Sequence, residues 1–215
     1  MIAHLGWNFP DADEHMWRQM RSDGYQRDHL DKALEFVMDR RCACDGGAHV
    51  GQFTKPLSAL FERVIAVEPA QDTYECLMAN VRRFNLTNVE PLNVALSDRP
   101  GTVRLELDAK QSARKNTGGR YAVHDKRGVI RCETIDGWNL PHLSFLKLDV
   151  EGSELSALEG AALTLKRCKP VVLWEDKGFG VRLGEARYAP HLFLESLGYE
   201  HKVRVGHDEI WAVKP

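Results

Sequence analysis

The stretch CACDGGAHVG, residues 42–51, decides how the chain reads. Small strand-compatible residues run to Asp45 and break into a glycine-rich turn, after which Phe53, Leu57 and Leu60 recur at helical spacing. Pro56 stands close enough to the start of that helix to be tolerated. Dinucleotide sites use G-x-G-x-x-G at such a strand-turn-helix corner, the middle glycine admitting a pyrophosphate. The frame here is Gly46, Ala48, Gly51, so the middle place carries a methyl group. Asp45 at the strand end would repel a pyrophosphate and attract an ammonium.

Working outward, VIAVE (64–68) is a short β-branched run ended by Pro69, whose fixed φ suits the first turn of a helix faced by Tyr74, Leu77, Met78, Val81 and Phe84. Val89 to Asn93 reads as a third strand. Before the glycine turn, Gln26 to Met38 carries Leu30, Leu34, Val37 and Met38 on one helical face. FLKLD (145–149) and VVLWE (171–175) are buried strands, separated by a helix with Leu155, Leu158, Ala161, Ala162 and Leu165 on its apolar stripe. Tyr199–Val205 and Ile210–Val213 close the chain as a hairpin around GHDE. This alternation predicts an α/β fold, a Rossmann-like, mostly parallel seven-stranded sheet with helices on both faces.

The length of 215 residues argues for a single domain, with 1–40 an N-terminal helical segment and 41–215 the Rossmann-like core. An insert breaks the alternation at about 103–133. Val103–Leu107 and Val129–Glu133 predict a β-hairpin whose long loop, from Lys110 to Arg127, holds Lys110, Arg114, Lys115, Arg120, Lys126 and Arg127 against the single acid Asp125. Such a loop reads either as a solvated connection or as a lid for an anionic acceptor.

Composition excludes several classes. The chain is 43% hydrophobic and 28% charged, ordinary for a globular protein, and no apolar run approaches the ~18 residues that span a bilayer. A net charge of −2 argues against a dedicated nucleic-acid coat but leaves room for a local basic patch. The five cysteines lack paired Cys-x-x-Cys knuckles and read as buried thiols rather than zinc ligands. The opening MIAHLGWNFPDADEH has neither the basic nor the apolar region of a secretory signal, so the expectation is a reduced, cytoplasmic protein with no membrane partner.

The second strand ends in Glu68, seventeen residues beyond Gly51. An acid there accepts hydrogen bonds from both ribose hydroxyls, in NAD and S-adenosylmethionine alike. Asp45 and Ala48 choose between the two, because an amino-acid head and a positively charged sulfur suit an acidic turn better than a pyrophosphate does. Asp149 and Glu151, with Glu175 on the next strand, stand at the carboxyl edge where ligands of open α/β sheets bind.

CDGGAHVG, VIAVEP, NVALSD and FLKLDVEGSE with ALEGA after it resemble, in order and spacing, the FkbM family of S-adenosylmethionine-dependent methyltransferases. The resemblance covers roughly Tyr25 to Glu175, and KLDVEGSE is its most specific piece. It implies Asp45, Gly47 and Gly51 around the methionine end of the cofactor, with His49 in the same turn where family members often carry asparagine. It further implies Glu68 on the ribose, Asn93 and Ala95 near the adenine, Asp149 closing the pocket, and the Tyr25–Gln26 pair beside the methionine carboxylate. The implied reaction is methyl transfer to oxygen, on a sugar or another small metabolite. A hydroxyl must lose its proton, so a base within hydrogen-bond reach is expected. Asp149 is the choice beside the reactive methyl and Glu175 for acceptor contact or base, while Glu151 bonds backbone in its turn and Glu154 caps the next helix.

Three other readings share the fold. RNA ribose 2′-O-methyltransferases resemble one another in a Lys-Asp-Lys-Glu tetrad, and the chain offers Lys32, Asp149, Lys177 and Glu209 in that order. That reading makes Lys177 catalytic and nucleic acid the acceptor. Glu175 and Asp176 offer acids for a divalent ion, although no metal is assigned to the site. A non-catalytic binding module is the third, against which the intact Asp45, Gly51, Glu68 and Asp149 count. His124, in the basic loop, is a candidate acceptor-side base, whereas Trp138 and Trp174 read as core.

Overall fold

The computed structural model of the protein describes residues 1–11, 13, 26–107, 112–113 and 116–214. Tyr25 and the loop residues Lys110, Arg114 and Lys115 lie outside the described residues. Strands β1 (Ile2–His4) and β2 (Trp7–Phe9) open the chain, and helix α1 (Arg27–Leu34) leads into β3 (Cys42–Gly46). Helix α2 (Thr54–Ser58), β4 (Arg63–Val67), α3 (Gln71–Arg83) and β5 (Val89–Leu92) follow. The insert contains β6 (Ala95–Leu96), β7 (Gly101–Glu106), β8 (Tyr121–His124) and β9 (Ile130–Glu133). The second half adds β10 (Phe145–Leu148), α4 (Glu154–Glu159), α5 (Ala162–Cys168), β11 (Val171–Glu175), α6 (Ala189–Ser196), β12 (Tyr199–Val205) and β13 (Asp208–Val213).

The central sheet has the order β12-β13-β11-β10-β3-β4-β5, parallel from β11 to β5, with β13 antiparallel to β11 and β12 antiparallel to β13. This is the mostly parallel seven-stranded α/β sheet that the sequence predicts. Both faces are covered, as parallel strands require. Phe145 packs with Ala43, Val64 and Leu173 beneath α1 and α2, while Leu146 and Leu148 pack with Cys44, Ile65 and Val172 against α4, α5 and α6. Each fully buried leucine of this kind stabilises the fold by about 1.5–3 kcal/mol. Among the described residues no helix is long and apolar enough to cross a membrane.

Three expectations are corrected. The first 40 residues are not simply helical, because β1 and β2 form an antiparallel hairpin around Leu5 and Gly6, both with positive φ. Alternation in Trp-Asn-Phe turns Trp7 and Phe9 inward against Val50 and Cys76, and the Asn80 amide ties Asn8 to the glycine turn through the Val50 carbonyl. Helix α1 stops at Leu34, and turn bonds from Phe36 to Ala33 and from Val37 to Leu34 carry Met38 out to 97% exposure. The insert is more than a hairpin. β7 and β9 pair antiparallel as expected, but β8 forms from within the basic loop on the other edge of β7, and β6 adds to β9, giving the order β6-β9-β7-β8.

Candidate functional site

Connections leave β3 and β10 in opposite directions, which opens a crevice at their carboxyl ends. A cavity of about 160 Å³ occupies it, with Gly47, Ala48 and His49 on one wall, Lys147, Asp149 and Glu175 on the floor, and Thr117, Arg120 and Ala122 of the insert overhead. Gln26 and Ala95 also line it, whereas Asp45, Gly51 and Asn93 do not.

The glycine turn is built by close approach. Gly47 has φ +76°, and a Cβ there would lie 1.9 Å from the Asp149 carbonyl oxygen. Gly51, at φ +99°, turns the chain into α2, and its carbonyl accepts the Lys55 N–H at 2.9 Å. Asp45 is wholly buried: its carboxylate accepts the Thr54 hydroxyl at 2.7 Å and lies 3.1 Å from the Lys147 ammonium. The ammonium that Asp45 attracts is therefore the chain's own. Lys147 stands directly across from Asp45 in the β3–β10 register and also donates to the Gly47 carbonyl at 2.9 Å. Burial alone would favour the neutral amine and lower the Lys147 pKa, but Asp45 and Asp149 more than offset that, raise it above the ordinary value and keep it charged.

At the other end, Glu68 is buried and faces the cavity. Its oxygens accept the backbone N–H groups of His49 at 3.0 Å and Ala70 at 2.9 Å, leaving lone pairs for a diol. Burial raises its carboxyl above the ordinary range. The Asn93 amide donates to the Glu68 and Pro69 carbonyls, so Asn93 fastens this corner from behind. His49 Nε2 lies 3.0 Å from Asp13 and 3.2 Å from the Thr117 hydroxyl, which itself donates to Asp13, joining turn, N-terminal segment and insert. Arg120 forms a bidentate pair with Asp72 at the start of α3 and so pins the insert above Glu68.

The acids converge beyond β10 and β11. The carboxyl oxygens of Asp149, Glu151 and Glu175 lie within 4.8 Å of one another. Lys177 reaches Glu175 at 2.5 Å and Glu151 at 3.4 Å, and Lys147 stands 3.9 Å from Asp149. Burial pushes Asp149 up, but the two lysines more than offset it and hold the carboxyl below its usual range. Burial and the Asp149 charge push Glu175 up to about 9 and Glu151 up to about 7. The cluster thus retains a proton near neutral pH, on Glu175 first.

In the VEGSE turn it is Glu154, not Glu151, that bonds the backbone, and neither caps the next helix with its side chain. Glu151, with φ +54°, aims its carboxylate at Lys177 and the cavity, while buried Glu154 accepts the backbone N–H groups of Val150 and Gly152. Burial raises Glu154 to about 7. Between the ordinary glutamate value of 4.5 and about 7 the native state holds a proton that the unfolded state releases, so this residue's contribution to stability falls as pH rises through that window. Glu154→Gln should therefore stabilise the protein relative to wild type by about 2 kcal/mol more at pH 8 than at pH 4.5, read by urea unfolding. An equal difference at both pH values would refute it.

Other sequence candidates lie apart from the cavity. Lys32 pairs with Glu35 on α1, and Glu209 pairs with His191 at 2.9 Å and Arg204 at 3.1 Å, so the Lys32-Asp149-Lys177-Glu209 tetrad does not assemble. Asp176 is held bidentately by Arg187, away from Glu175, which removes the pair read as metal acids. His124 bonds Ser97 at 2.8 Å and does not line the cavity. Lys147 is the residue the sequence reading missed. Its signal was a lone charge inside an otherwise apolar central strand, which a buried position tolerates only with a partner.

Comparison with known proteins agrees with this geometry. The model of the methyltransferase FkbM domain matches residues 45–201, more than half of the chain. The hexuronic acid methyltransferase AglP of Haloferax volcanii is 28% identical over 163 residues, covering 74% of this chain and 66% of that protein. The methyltransferase sdnD of Sordaria araneosa is 28% identical over 200 residues, covering 69% of this chain and 77% of that one. In fold, the crystal structure of methyltransferase FkbM from Methylobacillus flagellatus KT matches with a TM-score of 0.53 at 20% identity, covering 80% of this chain and 43% of that one. Precorrin-6y C5,15-methyltransferase from Geobacter metallireducens GS-15 matches with a TM-score of 0.55 at 16% identity, covering 99% and 100%. The chain spans just under two thirds of the Haloferax protein and under half of the Methylobacillus chain. Because the matched family model runs through every strand end that frames the cavity, the chain belongs to the FkbM family of methyltransferases, with S-adenosylmethionine as its cofactor.

Proposed function

We propose that the chain methylates a hydroxyl oxygen on a sugar or another small metabolite. The observation that carries this reading is the Asp149-Glu151-Glu175 cluster with Lys177 at the cavity floor, a proton-accepting group beside the turn that holds the cofactor. Similarity to a hexuronic acid methyltransferase supports a sugar as acceptor. When bound, S-adenosylmethionine supplies an activated methyl on a cationic sulfur. Asp149, kept ionised by Lys147 and Lys177, orients the acceptor hydroxyl and favours positive charge beside it. Among the protein's own groups alone, Glu175 holds a proton near neutral pH. A cation beside it would favour the carboxylate, the Glu175 proton passing to solvent, and the freed carboxylate would then accept the proton of the acceptor hydroxyl. Lys177 fixes the Glu175 and Glu151 carboxylates and so sets their geometry toward the acceptor. Much of the acceleration would come from such positioning.

The cofactor residues are proposed with the roles that the family resemblance implies, subject to the corrections above. Glu68 receives the ribose, Ala95 borders the adenine, and Gly47 and His49 form the wall of the turn, while Asp45, Gly51 and Asn93 act from behind it. The test is incubation with methyl-labelled cofactor and separate pools of glycans, small metabolites and RNA. Label in a glycan or small metabolite, stable to mild alkali as an ether is, is the expected result. Label confined to RNA, or released by alkali as from an ester, would overturn the reading.

A further inference from the structure

Two donors at the glycine-turn end of the cavity have more hydrogen-bonding capacity than the protein uses. Gln52, directly after the turn, is 9% exposed and lines the cavity, yet its Nε2 meets no partner among the described residues. A buried amide donor left without a partner is costly and is normally satisfied by something that arrives. Lys147 carries three donors. One goes to the Gly47 carbonyl at 2.9 Å, and Asp45 at 3.1 Å and Asp149 at 3.9 Å are ion-pair neighbours of the ammonium. Both residues share a wall with Phe53, whose ring centre is 5.1 Å from the Lys147 ammonium.

We propose that Gln52 and Lys147 receive the terminal carboxylate of the cofactor's amino-acid end, leaving Asp149 to face its ammonium. The proposal deepens the cofactor reading and rests on it. A carboxylate offers only acceptors, so it needs donors and a cation. Among the described residues, the other cationic side chains along the cavity are engaged elsewhere: Lys177 with Glu175 and Glu151, and Arg120 bidentately with Asp72. Lys147 beside Asp149 reproduces, with opposite sign, the adjacent charges of a zwitterionic amino-acid head. The arrangement also explains how a buried Asp45, already answered by Thr54 and Lys147, contributes without touching the ligand.

The test is calorimetric titration of the full chain with S-adenosylhomocysteine and with 5′-methylthioadenosine, which keeps the nucleoside and thioether but lacks the amino-acid end. Gln52→Leu removes the unbonded Nε2 donor at little change in side-chain shape, and its melting temperature checks that the fold is retained. It should weaken S-adenosylhomocysteine by about tenfold or more and leave methylthioadenosine within about twofold. Lys147→Met should show the same selectivity with a larger loss, and Lys147→Arg should restore part of it. Equal weakening of both ligands by Gln52→Leu, or no weakening of either, overturns the proposal. If the wild-type chain binds neither ligand, the cofactor reading itself falls and takes this proposal with it.

Discussion

Replacing Asp149 with alanine should abolish methyl transfer, by about a hundredfold or more, while cofactor binding stays measurable. The residue stands beside both lysines of the site and adjoins the acids that handle the proton. Its loss removes the fixed negative charge that orients the acceptor, and frees Lys177 and Lys147 to pair more fully with Glu175 and Asp45. Binding should weaken through loss of the charge facing the ammonium but stay measurable, because Glu68, His49 and the backbone of the turn are untouched. Single-turnover rates with labelled cofactor, set beside its dissociation constant, separate the two effects. Full activity in Asp149→Ala would remove the residue from the mechanism.

Gly47→Ala should be the most damaging single methyl group in the chain. The new Cβ would lie 1.9 Å from the Asp149 carbonyl oxygen at a φ of +76°. Neither side can yield easily, since Gly47 N–H donates to Val67 at 3.0 Å, Asp149 N–H donates to Gly46 at 3.0 Å, and the Gly47 carbonyl accepts Lys147. We expect a loss of about 3 kcal/mol or more, seen as a fall in melting temperature of roughly 6–12 °C, together with loss of cofactor binding. Gly184→Ala is the matched control: φ there is +87° with nothing within 4 Å, so only backbone strain of about 1–2 kcal/mol applies. Comparable losses in the two variants would mean that backbone strain, not the close approach to Asp149, makes Gly47 necessary.

The strand ends were legible because each ends a short apolar run with a charged residue. Asp45, Glu68, Asp149 and Glu175 all lie at the carboxyl edge of the sheet, and their order along the chain was enough to place them there. What they touch was not legible. Asp45 was read as waiting for an ammonium, and the structure supplies one from the neighbouring strand, through a cross-strand register that no local pattern reveals. Lys32 and Glu209 followed the order of a catalytic tetrad, but order carries no distance, and both pair elsewhere. The β1–β2 hairpin is hard to read because each strand is only three residues long, and Trp7 and Phe9 give too short an alternation to define a strand's period. The strand β8 hid in the basic loop for a similar reason, since four residues between charged neighbours show little of a strand's period.

The central claim is that the cavity between β3 and β10 holds S-adenosylmethionine with its ribose on Glu68. Titration of S-adenosylmethionine into wild type and Glu68→Ala tests it most directly. One binding site per chain in wild type, weakened about tenfold or more in Glu68→Ala at a temperature where circular dichroism shows the variant folded, is the predicted result. Equal affinity in both proteins would place the nucleoside elsewhere, and absence of binding in wild type would contradict the account as a whole.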